Sequence, residues 1–304
     1  MAQLLLTPEH QELKTLVLSG KCVAFAGSGL SNPPAGDWKT LVNAVAVQCG
    51  VPFDDSVPAA EYLDVIDRCI ASSEDSCNRA LRAELPAHVA ASRTAIGYVH
   101  RLPFKALVTT NFDPWIRQQS RSGKYTGGVH IFPHLPLNRG IDGHIYYIHG
   151  FFDSEDTSSS IVKLVLGKNS FDEAYGDSLL PGFLLYFFVY KNIVFIGFNP
   201  LEEHVKELLR RSIHLRLRVA KSLGVAPAAS PKRYILWPTA TNASPAEAAR
   251  ERAHISELTA LEITPVFYDK TASDYRGIEQ MLFSWVAEGD LKERPAPFDT
   301  GFDV

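Results

Sequence analysis

A chain of 304 residues is long enough for one large α/β domain or two small ones, and 46% hydrophobic against 21% charged residues is ordinary for a folded protein in water. A net charge of −4 with a pI near 6.2 excludes the basic footprint of a direct nucleic-acid binder or of a protein drawn to anionic membranes. The four cysteines, Cys22, Cys49, Cys69 and Cys77, form no C-x-x-C pair, which argues against a four-thiolate zinc site and a disulfide framework and suits a reducing, cytoplasmic setting.

The opening MAQLLLTPEH lacks the basic segment and long apolar core of a signal peptide. Thr7-Pro8-Glu9 starts a helix, with a capping hydroxyl, a proline at the first helical position and an acid in the first turn; Gly20 ends it. Cys22 to Ser31, CVAFAGSGLS, reads as a short buried strand breaking into a glycine turn. A strand, a glycine turn and a helix together make an anion cradle, because free backbone N–H groups and the helix dipole point at a phosphate. Only two glycines of the dinucleotide fingerprint are present here, so an ordinary strand-to-helix turn competes with that reading.

From Asn32 to Arg101 the pattern is helical: Trp38–Cys49, Ala59–Ala71, Cys77–Leu85 and Ser92–Arg101, after a loop NPPAGD. This predicts a helical insertion at about 32–101 between the first two strands. Strands follow at Lys105–Thr110, 129–132 and 144–150, with a short helix at Trp115–Ser122. Residues 179–198 approach the length of a membrane span, but Pro181, Gly182, Lys191 and Asn192 interrupt them. The prediction is one helix over Ser170–Tyr190, then a buried strand at 192–198. A long helix over Glu202–Leu223 places Val205, Leu208, Ser212, Leu215, Val219 and Leu223 on one face and Arg210, Arg211, Arg216, Arg218 and Lys221 on the other. Strands at 233–238 and 263–269 flank a helix over Pro245–Ala260, and Ser273–Glu288 is the last helix before a loose tail at about 289–304.

Short buried strands alternating with helices indicate a single α/β domain: a Rossmann-like, doubly wound parallel sheet of about six strands with a helical small module. Ligands of such sheets bind at the carboxyl ends of the strands. Those ends carry Gly27-Ser28-Gly29, then Asn111 and Asp113 of TTNFD, His149-Gly150, Gly197-Phe198-Asn199, and Pro238-Thr239. Singly, an Asn or Asp after a strand is a turn-former and a lone His is structural. Jointly, three polar groups at the mouths of apolar strands mark a candidate site.

GSGLS, TTNFD, IHG and FIGF, in this order over about Lys21 to Trp285, resemble the sirtuin family. The family pattern has a G-[AS]-G-x-S turn, matched through Ser31, a T-x-N-x-D segment, a catalytic histidine followed by glycine, and a later turn that holds the nucleotide. The chain departs from the protein deacetylases of the family: it has no paired C-x-x-C zinc module, PPAGDW stands where a D-F-R segment is expected, and FFDSEDTSSS follows the HG. It is thus more similar to the sirtuin-like NAD glycohydrolases of bacterial antiphage defence, such as the Thoeris effector or the partners of HerA-type ATPases and short Argonautes.

That resemblance implies NAD as substrate, without zinc. It implies His149 as general base, Asn111 as holder of the ribose hydroxyl or the attacking water, and Asp113 as acceptor from the nicotinamide carboxamide. Gly27, Ser28, Gly29 and Ser31 would face the pyrophosphate, and Gly197 and Asn199 the adenosine. It further implies an off state, and hence a homo-oligomer or a complex with a defence partner. NAD-dependent protein deacylation and a non-catalytic NAD- or ADP-ribose-binding module are the alternatives.

Overall fold

The computed structural model describes residues 7–31, 38–54, 56–58, 61–85, 95–119, 125–136, 140–225, 230–239, 244–269 and 276–293. The predicted loop at 32–37 and the end of the tail lie outside them, as do the first residues of the predicted helices at 59, 92 and 273 and the last of the one at 115–122.

Seven strands, one at each of the seven stretches read from the sequence, form one wholly parallel sheet in the order β3-β4-β2-β1-β5-β6-β7. They are β1 (Cys22–Ala26), β2 (Ala106–Thr109), β3 (Gly128–Ile131), β4 (His144–Tyr147), β5 (Asn192–Ile196), β6 (Arg233–Thr239) and β7 (Ile263–Asp269). β1, β2 and β4 are buried throughout, as expected of strands covered on both faces. The edge strands β3 and β7 are only partly buried. The chain leaves β1 toward β2 on one side and returns as β5 on the other, so the switch point lies between β1 and β5. Register levels the strand ends there: Ala26 pairs with Thr109 and with Ile196, and Thr109 with Tyr147. The residues just beyond these four share one rim.

Apolar layers cover both faces. On one, α1 (Pro8–Leu18), α5 (Ala95–Arg101) and α11 (Arg276–Glu293) pack through Leu13, Val17, Ile96, Val99, Met281 and Trp285. On the other, α8 (Leu179–Tyr190) and α9 (Glu203–Leu223) contribute Phe183, Phe187, Phe188, Leu208 and Leu209, with Leu258 of α10 (Pro245–Ala260). α11 runs five residues past the predicted helix end at Glu288.

The 170–190 stretch is two helices rather than one. α7 (Lys168–Gly176) stops at Asp177, whose backbone is extended, and α8 restarts with Pro181 in its first turn, where a missing N–H costs nothing. Among the described residues no helix is long and apolar enough to cross a membrane. The apolar face read along α9 is buried only in its first half: Val205, Leu208 and Ser212 are covered, whereas Leu215, Val219 and Leu223 are exposed.

A third apolar cluster belongs to the small module, α2 (Trp38–Cys49), α3 (Tyr62–Ser72) and α4 (Glu74–Glu84). Phe152, Ile161, Leu164 and Leu166, from the chain just after His149, are part of that cluster and tie the module to the sheet rim. α5, the last helix of the 32–101 stretch, packs on the sheet face instead. Three cysteines far apart in sequence meet inside the module: the Cys49 and Cys77 sulfurs are 3.3 Å apart, and Cys69 interacts with Cys49.

Candidate functional site

Beyond the four level strand ends lies a cavity of about 540 Å³. Gly27, Ser28, Ser31, Asn111, Asp113, His149, Gly197 and Asn199 all line it. The small module lines one side of it with Trp38, Leu41, Leu63 and Leu85, and α7 contributes Phe171. A second cavity of similar size continues toward β6 and β7. It shares Ser28, Gly197, Phe198 and Asn199 with the first and adds Gly29, Trp237, His254 and Glu257. The two neighbouring cavities flank the β1/β5 switch point, the place where sheets of this kind bind their ligands.

The glycine turn is fixed by its neighbour. The Gly27 amide donates to Ile196 (3.1 Å) and the Gly29 amide to Gly197 (2.9 Å), while Leu30 and Ser31 close the turn onto Gly27 and Ser28. Most N–H groups of this turn are therefore committed within the protein, and Ser28–Leu30 forms a single tight 3₁₀ turn rather than the start of a long helix. A Cβ on Gly27 would stand 2.5 Å from the Gly197 carbonyl oxygen. Gly197 itself has φ +60, in the region that favours glycine. The two turns need their glycines to pass each other.

Asn111, Ser31 and Asp113 form a buried chain. Asn111 Nδ2 donates to Ser31 Oγ (2.8 Å), which donates to Asp113 Oδ2 (3.0 Å), and Asp113 Oδ1 accepts from the Trp115 amide (3.1 Å). Asn111 Oδ1 is buried with no partner in the protein. A buried amide oxygen left unpaired costs free energy unless something else bonds it, so it marks the place for a ligand O–H or N–H. Burial pushes the Asp113 carboxyl up to about 6, against the opposing bonds from Ser31 and Trp115.

His149 follows β4 and lies 6% exposed. Its carbonyl accepts from the Val165 amide (2.8 Å), and Gly150 (φ +91) turns the chain so closely beneath Lys163 that no side chain would fit. Burial, with His204 adding to it, lowers the imidazole to about 3, so His149 is neutral at ordinary pH rather than half-protonated near 6.5. Its Nε2 meets the Tyr175 hydroxyl at 2.9 Å. Asn199 Oδ1 accepts from the Leu201 amide (3.1 Å), a turn-forming bond that leaves its amide nitrogen for a ligand. Glu202 lines the first cavity and caps α9 through the amides of His204 and Val205.

Sequence reasoning missed Phe171, Tyr175, Glu202, Trp237 and Glu257. Phe171, Tyr175 and Glu257 come from helices, Glu202 from the cap before α9, and Trp237 from just short of the β6 end, where Pro238, a strand-end residue already read from the sequence, lines the second cavity.

Residues 105–255 match the SIR2-like domain family. The stretch runs from just before β2 into α10, and Asn111, Asp113, His149, Gly197 and Asn199 fall within it. The chain is sirtuin-like across this region, and a SIR2-like domain implies NAD binding. A comparison with curated proteins gives no match. Among the described residues no group of three His, Cys, Asp or Glu side chains is placed to hold a metal ion.

Proposed function

We propose that this chain hydrolyses NAD to nicotinamide and ADP-ribose. The observation that carries the reading is the pairing, in one cavity, of an unpartnered buried Asn111 carbonyl with a neutral His149. In NAD the leaving nicotinamide is a pyridinium, so it departs with the glycosidic electron pair as a neutral ring. The ribose passes through an oxocarbenium-like state. Water adds to that carbon, and its proton goes to a base. A neutral imidazole accepts one; an imidazolium does not. Asn111 Oδ1 would accept from a ribose hydroxyl or the attacking water without titrating. The apolar side formed by Trp38, Leu41, Leu63 and Leu85 would exclude bulk water from the charged intermediate.

The second reading, NAD-dependent deacylation of a peptide, is disfavoured by the absence of any C-x-x-C pair and by the module lining one side of the cavity. A role as an NAD-depleting effector in antiphage defence follows the sequence resemblance. An unrestrained enzyme of that kind would drain its own cell, so we further propose that assembly with itself or with a partner protein sets its activity. Incubation with NAD, with and without an acetylated peptide, followed by chromatography, tests the activity. Nicotinamide and ADP-ribose formed without peptide support it, and O-acetyl-ADP-ribose formed only with peptide overturns it. His149→Ala should abolish turnover in a folded protein, by the about 10²–10⁴-fold that acid–base help is worth.

A further inference from the structure

Each helix of the small module carries one cysteine: Cys49 is the last residue of α2, Cys69 lies near the end of α3, and Cys77 lies in the first half of α4. Cys49 and Cys77 are 28 residues apart in sequence, yet their sulfurs stand 3.3 Å from each other. A disulfide needs about 2.05 Å, so the two atoms have only about 1.3 Å to close. Cys49 is placed to supply that movement. α2 ends at it, and Gly50 leaves the helix with φ +67 and nothing packed against its Cα. The exposure of the pair is unequal. Cys77 is fully buried, as are Cys69 and the distant Cys22 of β1, whereas Cys49 is half-buried beside exposed Gln48 and Gly50. A small oxidant from solvent therefore reaches Cys49 first, and the product finds a second thiol already in contact.

We propose that Cys49 and Cys77 are an oxidisable pair: a hydroperoxide converts Cys49 to a sulfenic acid, and Cys77 resolves it to a disulfide that staples α2 to α4. In the first step the Cys49 sulfur attacks one peroxide oxygen, the O–O bond breaks, and the departing hydroxide takes the thiol proton as water. Cys49 is oxidised and the peroxide reduced. In the second the Cys77 sulfur attacks the Cys49 sulfur, the S–S bond forms, and the S–O bond breaks; the hydroxide that leaves takes the Cys77 proton as a second water. Burial holds the Cys69 and Cys77 thiols protonated, which suits Cys77 to the resolving role rather than to the first attack. The bond would act on the cavity from its far end. α2 begins with Trp38 and Leu41, and Leu85 caps α4; all three line the cavity, so the staple would fix the spacing of two helices that form its apolar side. The inference does not depend on the hydrolase reading.

The test treats the reduced full chain with hydrogen peroxide, alkylates the remaining thiols in denaturant, and maps the peptides without reduction. Cleavage after Arg68 and after Glu74 separates Cys49, Cys69 and Cys77. The expected product joins the Cys49 and Cys77 peptides at about 2 Da below their summed mass, with Cys22 and Cys69 alkylated, and dithiothreitol releases it. Cys49→Ser should keep all three of its remaining thiols through the same treatment. Cys77→Ser should stop at the sulfenic acid, trapped on Cys49 by dimedone. Because Cys77 is fully buried, that variant is read only if its melt is cooperative; wild type and Cys49→Ser decide the matter without it. Cys49 recovered as a free thiol in peroxide-treated wild type, or bonded to Cys69 or to a second chain, overturns the proposal, as does loss of the Cys77 thiol in Cys49→Ser.

Discussion

Asn111 donates one side-chain N–H to Ser31 Oγ at 2.8 Å and keeps its carbonyl oxygen buried and unpaired, so one end of the side chain is anchored while the other is left for a ligand. Asn111→Ala should therefore lower NAD turnover by about 10²-fold or more, the usual cost of removing a preorganised polar group from such a site. The fold should tolerate it, since Ser31 retains Asp113 as its partner and an unpaired buried acceptor disappears. The melting temperature and the rate should be read on the same sample. A loss of rate matched by a large loss of stability would place Asn111 in the packing rather than in the chemistry.

Asp113 leads to a pH prediction. Its folded pKa of about 6 lies above the ordinary value of 3.8. Between these values the folded state holds a proton that the unfolded state has released. Stability from this group therefore falls as pH rises from about 4 to 6, by about 3 kcal/mol at most, and is level above that. His149 acts in the opposite sense, because its folded pKa is depressed: its contribution is present above about 6.5 and is lost as pH falls toward 3. The two slopes partly cancel in wild type. Asp113→Asn removes only the first, so the gain in stability of the variant over wild type should grow between pH 4 and 6. Urea titrations across that range check it, and a difference independent of pH would show that Asp113 ionises freely in the folded state.

The sheet was legible because its strands are short apolar runs that end in glycine or turn residues, and the rule that ligands sit at such ends led directly to Asn111, Asp113 and His149. What failed had physical causes. The 170–190 stretch is apolar almost throughout its second part, so its periodicity hides the break at Asp177–Ser178. On α9 the three-to-four spacing continues past Ser212, although nothing described covers Leu215, Val219 or Leu223; spacing records amphipathicity, not the length of the partner surface. Arg233 opens β6, and nothing in its sequence neighbourhood marks it as buried. In fact it is 1% exposed and bonds the carbonyls of Leu261 and Phe188 and the Ser212 hydroxyl, a network that needs three separate elements in place. Tyr175 and the meeting of Cys49 with Cys77 were invisible for the same reason, since both depend on how helices pack.

That meeting sharpens the expectation about zinc. Three cysteines come together, but a structural zinc site takes four ligands as thiolates or imidazoles. Cys22 lies in β1, in the core of the sheet. Burial pushes the Cys69 thiol up to about 12 and raises Cys77 as well, which disfavours the thiolates that a metal requires. Elemental analysis of the purified protein should find far less than one zinc per chain. About one zinc per chain, lost in a Cys69→Ser/Cys77→Ser double variant, would overturn this and return weight to the deacylase reading.

The glycine turns give the cleanest separation of structure from binding. Alanine at Gly27 would bring its Cβ to 2.5 Å from the Gly197 carbonyl oxygen and 2.6 Å from the Phe198 Cα, and backbone atoms cannot swing aside as a side chain would. Alanine at Gly197 would meet the backbone of Gly29 and Leu30 and must also hold φ +60. Overpacking and a left-handed backbone together cost about 2–4 kcal/mol, which for a chain of this size lowers the melting temperature by about 5–10 °C. Ser28 sits between the two glycines of its turn but is exposed and lines both cavities. Ser28→Ala should leave the melting temperature within about 1 °C, as surface substitutions usually do, while weakening the stabilisation that added NAD confers. Thermal melts of the three variants with and without NAD make the comparison. If Gly27→Ala melts like wild type, the close approach of the β1 and β5 turns is wrong, and if Ser28→Ala keeps the full NAD shift, the dinucleotide does not run past Ser28 from one cavity to the next.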